Sequence, residues 1–257
     1  MKYFCVSDVH SFFKELMVAL DKAGFEKDNP EHILCVLGDL FDRGDETVQL
    51  FKFVKELQSK NRLIYIRGNH EDLLRECINE IRDSDGRAPS WHHFSNGTVK
   101  TICQFCGQSE WIVYDPLWTD KIYKTMQPIL DFIDENCVDY AEIGDYILTH
   151  GWLPTYNYLD DFRDADESDW KGARWSNGME MWENPKNRIE GKTVICGHYH
   201  CSFGWAYIKQ EYEEWPRKNQ TDWQKSFDPF IDDGIIAIDA CCAYSGKINC
   251  VVLDVDE

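Results

Sequence analysis

Residue types that bind metals and phosphate follow five apolar stretches of this sequence, each at the end of its stretch. They are Asp8, His10, Asp39, Asp42, Arg43, Asn69, His70, His150, His198 and His200. Carboxylate, imidazole and amide groups without a thiolate suit manganese, iron or zinc. The ligands are too many for one ion, whereas two ions about 3.5–4 Å apart and bridged by a carboxylate would use them all. The set therefore predicts metal-assisted hydrolysis of a phosphoester.

Each of these residues also has a structural explanation of its own. Asp8 and Asp39 could cap helices, and Gly38 and Gly44 could be ordinary turn residues. A single histidine after a strand is more often structural than a ligand. We favour the metal site because the structural explanations must hold independently at five strand ends, whereas one site accounts for all of them.

Apolar stretches and helical spacing indicate the elements that carry these residues. Strands are predicted over 3–6, 33–37 and 63–66, alternating with amphipathic helices over 12–23 and 47–60. The strands are continuously apolar, which is typical of a parallel sheet covered on both faces. Since ligands bind outside the carboxyl ends of strands in open α/β sheets, side chains from different strands should converge there.

The second half of the chain is expected to continue the same α/β pattern. Strands are predicted over 146–149 and 192–196, and residues 72–142 are expected to be mainly helical. The stretches 235–239 and 249–255 are expected to close the fold as an antiparallel pair of strands.

Composition and charge restrict the class of protein. Of the 257 residues, 43% are hydrophobic and 28% are charged, which is ordinary for a soluble globular protein. No stretch approaches ~18 uninterrupted apolar residues, and the N-terminus lacks the pattern of a secretory signal. We therefore predict a cytoplasmic protein without a membrane segment. The net charge of −19 argues against a general nucleic-acid surface, because phosphate backbones attract basic patches.

Five short motifs resemble, in order, those of the calcineurin-like metallophosphoesterases: SDVH, GDLFDRG, GNHE, HG and GHYH. The second and third resemble the phosphoprotein-phosphatase branch, which includes Ser/Thr protein phosphatases, small bacterial and phage phosphatases and symmetrical dinucleoside-tetraphosphate hydrolases. The resemblance implies an α/β metallophosphoesterase fold, with mixed β-sheets packed as a central sandwich flanked by helices. It also implies a single domain over 1–257 with helical cap insertions over 76–145 and 153–190.

The resemblance implies which residues hold two divalent metal ions. Asp39 is expected to bridge the ions. Asp8 and His10 are expected at the first ion, and Asn69, His150 and His198 at the second. The role of His200 stays open: it could be a metal ligand, or it could lie outside the ligands in an outer role, because the protein-phosphatase branch often lacks this histidine. Manganese is the expected metal, with iron, zinc and nickel as alternatives.

The same resemblance implies roles in proton transfer. His70 is expected to be the general acid that protonates the leaving-group oxygen. Asp42 is expected to orient and charge-stabilise that imidazole. Glu71 is expected to orient its neighbours or to cap the following helix.

Arg43 is expected to bind the substrate phosphate, because its planar guanidinium suits phosphate oxygens. Asn69 is expected to face both the metal and the phosphate. A second phosphate-binding arginine usually follows the HG motif at some distance. Arg174 is the best candidate, with Arg163 and Arg188 as rivals.

Three functions remain open at the level of the sequence. The first is a metal-dependent phosphatase for phosphomonoesters such as phosphoserine or phosphothreonine. The second is a hydrolase of dinucleoside polyphosphates or of nucleotide-capped RNA ends. Five tryptophans are candidates to stack a base, although filling a core is the commoner role of tryptophan: Trp118, Trp152, Trp170, Trp175 and Trp182. The third is a metal-free binding module, which is disfavoured because every expected ligand position is filled.

Overall fold

The computed structural model describes residues 1–84, 87–155, 159 and 161–255. Its strands are β1 (Lys2–Val6), β2 (His32–Leu37), β3 (Leu63–Ile66), β4 (Cys137–Val138), β5 (Tyr140–Ile143), β6 (Tyr146–Thr149), β7 (Thr193–Cys196), β8 (Phe230–Asp232), β9 (Ile235–Ala237) and β10 (Val251–Asp254). Its α-helices are α1 (Phe13–Ala23), α2 (Thr47–Ser59), α3 (Asn69–Asp83), α4 (Trp91–Asn96), α5 (Thr98–Cys106), α6 (Thr119–Asn136), α7 (Glu167–Ala173), α8 (Gly178–Glu183) and α9 (Cys242–Ser245).

Among the described residues, the strands form two five-stranded mixed sheets. The first has the order β10-β1-β2-β3-β4, in which β1 to β4 are parallel and β10 is antiparallel to β1. The second has the order β5-β6-β7-β9-β8, in which β6, β7 and β9 are parallel and the edge strands β5 and β8 are antiparallel. The predicted α/β class, with mixed sheets flanked by helices, is confirmed.

A layer of apolar side chains joins the two sheets. It draws on both of them and consists of Cys5, Cys35, Leu37, Ile66, Ile143, Leu148, Ile195, Ile238 and Leu253. On the other face of the first sheet, Phe4 and Val36 pack in one core with Leu16 and Leu20 of α1 and Leu50 of α2. Both faces of these parallel strands are therefore buried, which is why the strands are apolar throughout rather than at alternate positions.

Local sequence signals explain where several elements begin and end. α1 buries Leu16, Ala19 and Leu20 on one side and ends at Gly24, whose left-handed φ of 81° suits a helix C-terminus. The strands predicted over 63–66 and 146–149 coincide with β3 and β6. α3 begins at Asn69, three residues after the end of β3, so the GNHE motif lies at a strand-to-helix turn.

The closing strands are paired differently from the prediction. β9 lies in the second sheet between β7 and β8, whereas β10 lies antiparallel to β1 in the first sheet. The predicted antiparallel pair over 235–239 and 249–255 is therefore wrong. A short apolar stretch indicates a buried strand, but it does not specify which strand is its partner.

The two predicted insertions differ in how far they are helical. The first, 76–145, is largely helical as far as Asn136 in its described part, which leaves out residues 85–86, and then enters the sheets through β4 and β5. The second, 153–190, contains α7 and α8, while its residues 156–158 and 160 lie outside the described residues. In the described part of the chain, no helix is long and apolar enough to cross a membrane.

Candidate metal centre

The carboxyl ends of strands from both sheets meet at the predicted site. His150, which follows β6, contacts the end of β2 through a 2.8 Å hydrogen bond between its Nδ1 atom and the carbonyl oxygen of Leu37. The backbone N–H of His198, after β7, donates to Oδ2 of Asp8, after β1, at 2.9 Å. The side chains converge as the strand ends suggest, although the convergence joins two sheets rather than one.

Asp39 lies between two groups of candidate ligands. Its Oδ1 atom is 3.3 Å from Nε2 of His150, and its Oδ2 atom is 3.7 Å from Nε2 of His10. Ligand atoms of His10, Asp39 and His70 lie within 4.8 Å of one another, and so do those of Asp39, His150 and His198. The two oxygens of one carboxylate therefore face two different imidazoles, as a carboxylate shared by two cations requires.

Hydrogen bonds to the backbone fix which ring nitrogen of two histidines faces Asp39. Nδ1 of His10 lies 2.8 Å from the carbonyl oxygen of Phe41, and Nδ1 of His150 makes the corresponding contact with Leu37. A carbonyl oxygen only accepts, so Nδ1 carries the proton and the Nε2 lone pair is directed toward Asp39. Burial lowers the pKa of His10 below its usual range, which keeps the ring neutral. Neutral imidazoles oriented by carbonyl oxygens are typical metal ligands, so these residues fit divalent ions.

Asn69, His198 and Asp8 complete this cluster. Oδ1 of Asn69 is 2.9 Å from Nε2 of His150 and 3.0 Å from Nδ1 of His198. Burial lowers the pKa of His198 to about 4, so this ring is also neutral. Burial and the nearby charge of Asp39 raise the pKa of Asp8 to about 8. A buried carboxyl group that resists ionisation is one that a bound cation would stabilise in its charged form.

His70 is held by a buried carboxylate on the side away from the ligands. Nδ1 of His70 lies 2.7 Å from Oδ2 of Asp42, which also accepts a hydrogen bond from the hydroxyl of Thr98 at 2.9 Å. Nε2 of His70 is 3.8 Å from Oδ2 of Asp39 and so faces the ligand cluster. Burial lowers the pKa of His70, but Asp39 and Asp42 outweigh it and raise the pKa to about 9. A protonated imidazole in this position can donate a proton.

Arg43 is an exposed cation beside the same cluster. Its Nη2 atom is 3.4 Å from Nε2 of His70. The backbone of Arg43 is fixed from the helical insertion, because Lys100 donates to its carbonyl oxygen at 2.9 Å. A Cβ atom on Gly97 would lie 2.4 Å from the backbone nitrogen of Arg43, so the helical insertion packs directly on the loop that carries Arg43. The guanidinium is therefore presented to solvent on a rigid loop, where it can meet an anion.

Six of the predicted site residues share a left-handed backbone conformation, which residues other than glycine rarely adopt. They are Asp8 (φ 51°), His10 (φ 48°), Asp39 (φ 54°), Asp42 (φ 77°), Arg43 (φ 58°) and His198 (φ 63°). Each such conformation costs about 1–3 kcal/mol and persists only where the surrounding structure imposes it, which is frequent at functional sites.

Glu71 holds the loop that carries Asp39. Its carboxylate accepts hydrogen bonds from the N–H groups of Asp39 and Leu40 at 3.0 Å, from that of Gly68 at 2.7 Å, and from the hydroxyl of Tyr65 at 2.8 Å. A Cβ atom on Gly68 would lie 2.3 Å from Oδ1 of Asp39, so the close approach requires glycine. Glu71 thus both caps α3 and orients its neighbours, the two roles expected from the sequence.

His200 does not join the ligand cluster. Its Nδ1 atom lies 2.7 Å from Oγ of Ser202, and its Nε2 atom faces Glu214 at 3.5 Å. Both ring nitrogens are therefore engaged by other groups. The prediction of His200 as a metal ligand is corrected to the outer role that the sequence had left open.

Arg174 does not reach the cluster either. Its guanidinium is only 2% exposed and forms hydrogen bonds with the carboxylates of Asp72, Asp139 and Glu167. The predicted phosphate-binding role is corrected because these three anions engage Nη1 and Nη2, and only the buried Nε atom is left without a partner. Arg174 instead ties the segment after α7 to α3, on which Asp72 lies.

Asp239 is a buried carboxyl group, electrostatically coupled to Asp8, that the sequence reasoning did not single out. It lies two residues after β9, the strand that pairs with β7, and it is 6% exposed. Its Oδ1 atom accepts a hydrogen bond from the N–H of Cys241 at 2.6 Å. Burial and the nearby Asp8 raise its pKa well above the usual range. The signal was present, because an acidic residue after an apolar strand is what marked the other positions.

The tryptophans considered for base stacking fall into different environments. Trp175 is 50% exposed, and its ring centroid lies 5.8 Å from that of His198. Trp118 packs against the core of the helical insertion. The others are buried in the core beside the second sheet: Trp152, Trp170 and Trp182. Those three tryptophans therefore fill a core. Of the five candidates, Trp175 is the one whose ring packs against a candidate metal ligand, His198.

Comparison with curated proteins finds similarity over part of the chain. An asymmetrical bis(5'-nucleosyl)-tetraphosphatase of Anoxybacillus flavithermus is 38% identical over 80 residues, which cover 29% of this chain and 33% of that protein. A symmetrical bis(5'-nucleosyl)-tetraphosphatase of Psychromonas ingrahamii is 35% identical over 88 residues, which cover 33% of this chain and 30% of that protein. The chain spans about a third of the length of the curated relatives it matches.

Comparison with solved structures covers nearly the whole chain. A cold-active protein-tyrosine phosphatase of a psychrophilic Shewanella species has a TM-score of 0.52 at 14% identity, covering 98% of this chain and 75% of that chain. A protein serine/threonine phosphatase of Saccharomyces cerevisiae has a TM-score of 0.50 at 15% identity, and the match covers 100% of this chain and 81% of that chain. These likenesses concern the fold.

A family model described as calcineurin-like phosphoesterase matches residues 1–226. The chain belongs to the calcineurin-like phosphoesterase family.

Proposed function

We propose that this protein is a phosphoester hydrolase that depends on two divalent metal ions. The observation that carries the proposal is the position of Asp39, whose two oxygens face His150 on one side and His10 on the other. The buried carboxyl group of Asp8 supports it, because a metal-free binding module would gain nothing from a carboxyl group whose ionised form is unfavourable without a cation.

The ligand residues are the two groups that share Asp39, with His70 left out because Asp42 holds its ring, and with two neighbours added. The neighbours are Asp8, 4.0 Å from Nε2 of His10, and Asn69, which lies against His150 and His198. Asp8, His10 and Asp39 would hold the first ion, and Asp39, Asn69, His150 and His198 would hold the second. Bound ions of this kind neutralise charge on a phosphoryl group and lower the pKa of water to near neutral pH. Nitrogen and oxygen ligands without thiolate favour manganese, with iron, zinc and nickel as alternatives.

Three side chains would act on the substrate itself. Arg43 binds phosphate oxygens through its planar guanidinium, and Asn69 faces the same phosphate. His70 donates the proton on Nε2 to the leaving-group oxygen. Asp42 keeps Nδ1 of that ring protonated and stabilises the imidazolium before the transfer. The dyad is preformed, because its hydrogen bond is already 2.7 Å long.

Phosphomonoesters are the first substrate class, including phosphoserine and phosphothreonine in proteins. Dinucleoside polyphosphates and nucleotide-capped RNA ends are the second candidate. Two observations favour it, namely the names of the partial sequence relatives and the exposed Trp175 beside His198. A cytoplasmic location and a single domain over 1–257 stay predictions.

A substrate panel on metal-stripped protein, with and without manganese, tests this function. The panel contains p-nitrophenyl phosphate, a phosphothreonine peptide, diadenosine tetraphosphate and a phosphodiester. We expect hydrolysis only when manganese is present. No turnover of any of the four by protein with two ions bound would overturn the proposal.

A further inference from the structure

Trp175 exposes half of a large apolar ring at the candidate active site. Its ring centroid is 5.8 Å from that of His198, and the two ring planes meet at 81°. Single exposed apolar residues are common on protein surfaces and need no special reason. Trp175 differs because it lies directly against a candidate metal ligand, where a substrate must also lie.

The backbone around Trp175 is fixed on both sides. A Cβ atom on Gly151 would lie 2.5 Å from the carbonyl oxygen of Ala173 and 2.8 Å from that of Arg174, so the HG turn packs tightly on this segment. The guanidinium of Arg174 is anchored by three carboxylates. On the other side, Asn177 caps α8 by accepting from its first N–H groups. The backbone that carries Trp175 is therefore held in place before any ligand arrives, and the ring rests against His198, which lowers the entropic cost of binding to it.

The position of the indole selects among substrates with different leaving groups. The His198 ring lies between Trp175 and Asn69: its Nδ1 atom contacts Oδ1 of Asn69, and the ring packs against the indole. The indole is therefore separated from the Asn69 ligand atom by the width of the imidazole ring. Phosphoserine and phosphothreonine carry no ring that could reach it. The ring of phosphotyrosine is bonded directly to the phosphate oxygen and stays close to the phosphate. A nucleobase is carried past the phosphate by a ribose and further phosphates.

We propose that Trp175 is a nucleobase-binding residue, which singles out dinucleoside polyphosphates, the second candidate class above, as substrates that this site can recognise beyond the phosphate. The inference rests on the hydrolase function proposed above. Stacking on an indole tolerates any base, because every base presents a π face. This site would therefore recognise the nucleoside part of the substrate without selecting a particular base.

The test compares Trp175→Ala and Trp175→Phe with the wild type in manganese on three substrates, namely diadenosine tetraphosphate, a phosphothreonine peptide and a phosphotyrosine peptide. Trp91→Ala is the matched control, because Trp91 is 78% exposed and its ring stacks on Phe94 in the insertion. For diadenosine tetraphosphate, we expect kcat/KM to fall roughly 10- to 100-fold in Trp175→Ala. Trp175→Phe should keep most of the wild-type value. On a phosphothreonine peptide, all variants should equal the wild type within about twofold.

Several results would overturn the inference while leaving the hydrolase proposal intact. One is wild-type turnover of the peptide but not of the dinucleotide. Another is equal loss on both substrates in Trp175→Ala, which would mean a structural role. A third is a loss of the same size on a phosphotyrosine peptide, which would mean that any aromatic leaving group is bound.

Calorimetric titration with AMP in manganese separates the two proposals. If the wild type hydrolyses nothing but binds AMP at least tenfold more tightly than Trp175→Ala, the hydrolase proposal fails and the base-binding site stands. If the two proteins bind AMP equally, the base-binding site fails whatever the activity.

Discussion

The Nδ1 atom of His70 lies 2.7 Å from the Oδ2 atom of Asp42, and both side chains are almost fully buried. The hydroxyl of Thr98 donates to the same carboxylate oxygen, and Oγ1 of Thr101 accepts from the backbone N–H of Asp42. Both threonines belong to α5 of the helical insertion. The insertion therefore positions the acid–base pair as well as covering the core, a link that the motifs alone do not contain.

Replacing His70 by Gln should lower kcat by roughly 10²–10⁴, the usual contribution of a general acid. The metal content should stay at the wild-type level, because the proposed ligand set does not include His70. Steady-state kinetics and elemental analysis of the same sample check both parts. Loss of one ion in His70→Gln would mean that His70 is a ligand, as its place within 4.8 Å of His10 and Asp39 allows.

Asp42→Asn should also lower kcat, and should have little further effect in a His70→Gln background. The reason is that Asp42 acts on the reaction through the ring of His70, so the two residues form one unit. A double-mutant cycle on kcat measures this coupling. Additive losses would show that Asp42 has an independent role in the reaction.

Asp39→Asn should abolish activity and remove most bound metal, because an amide has one oxygen to share where the carboxylate has two. Asp145→Asn is the control, since its side chain is 91% exposed at the turn before β6. Mass spectrometry of metals after dialysis against manganese checks the prediction. Retention of two ions by Asp39→Asn would contradict the bridging role.

Asp8 should make the metal-free protein less stable as the pH rises. The folded protein keeps the Asp8 proton up to about pH 8, whereas the unfolded chain loses it near pH 3.8. Between these values the unfolded state binds fewer protons, so this group lowers the free energy of unfolding as pH increases. Asp8→Asn should therefore be more stable than the wild type at pH 8 without metal, by roughly 1–3 kcal/mol, and about equal near pH 4.

Chemical denaturation at several pH values, with and without manganese, measures this difference. Manganese should reverse the order at pH 8, because the ion stabilises the charged carboxylate and the amide is a poorer ligand. A difference that does not change with pH would show that the folded protein does not hold the Asp8 proton above the pH at which the unfolded chain loses it.

The strand ends were predictable from the sequence because their signal is local. The apolar stretch 63–66 indicated β3, and the polar Asn69 and His70 after it indicated two candidate site residues, since parallel strands bring their carboxyl ends together. The partners of β9 and β10 were not predictable, because strand pairing joins residues far apart in the chain. Nor was the left-handed backbone at Asp39 predictable, because the fold around it imposes that conformation.

Arg174 illustrates a second limit. An arginine after an HG motif has the same charge whether it meets a phosphate or a carboxylate. Two of its partners, Asp72 and Asp139, are 102 and 35 residues away in sequence. Only the fold brings these anions to the guanidinium, so the residue type alone favoured the wrong partner.

Arg174→Met should destabilise the protein by roughly 3 kcal/mol, because it leaves the carboxylates of Asp72 and Asp139 partly buried without their counter-charge. Arg163→Met is the matched control. The Arg163 side chain is 38% exposed and pairs with Glu142 and Asp161 near the surface, so the loss there should be below about 1 kcal/mol. Denaturant unfolding measures both variants. If Arg174→Met were as stable as Arg163→Met and instead raised KM for a phosphomonoester, the phosphate-binding role expected from the sequence would stand, and the ion-pair account would be wrong.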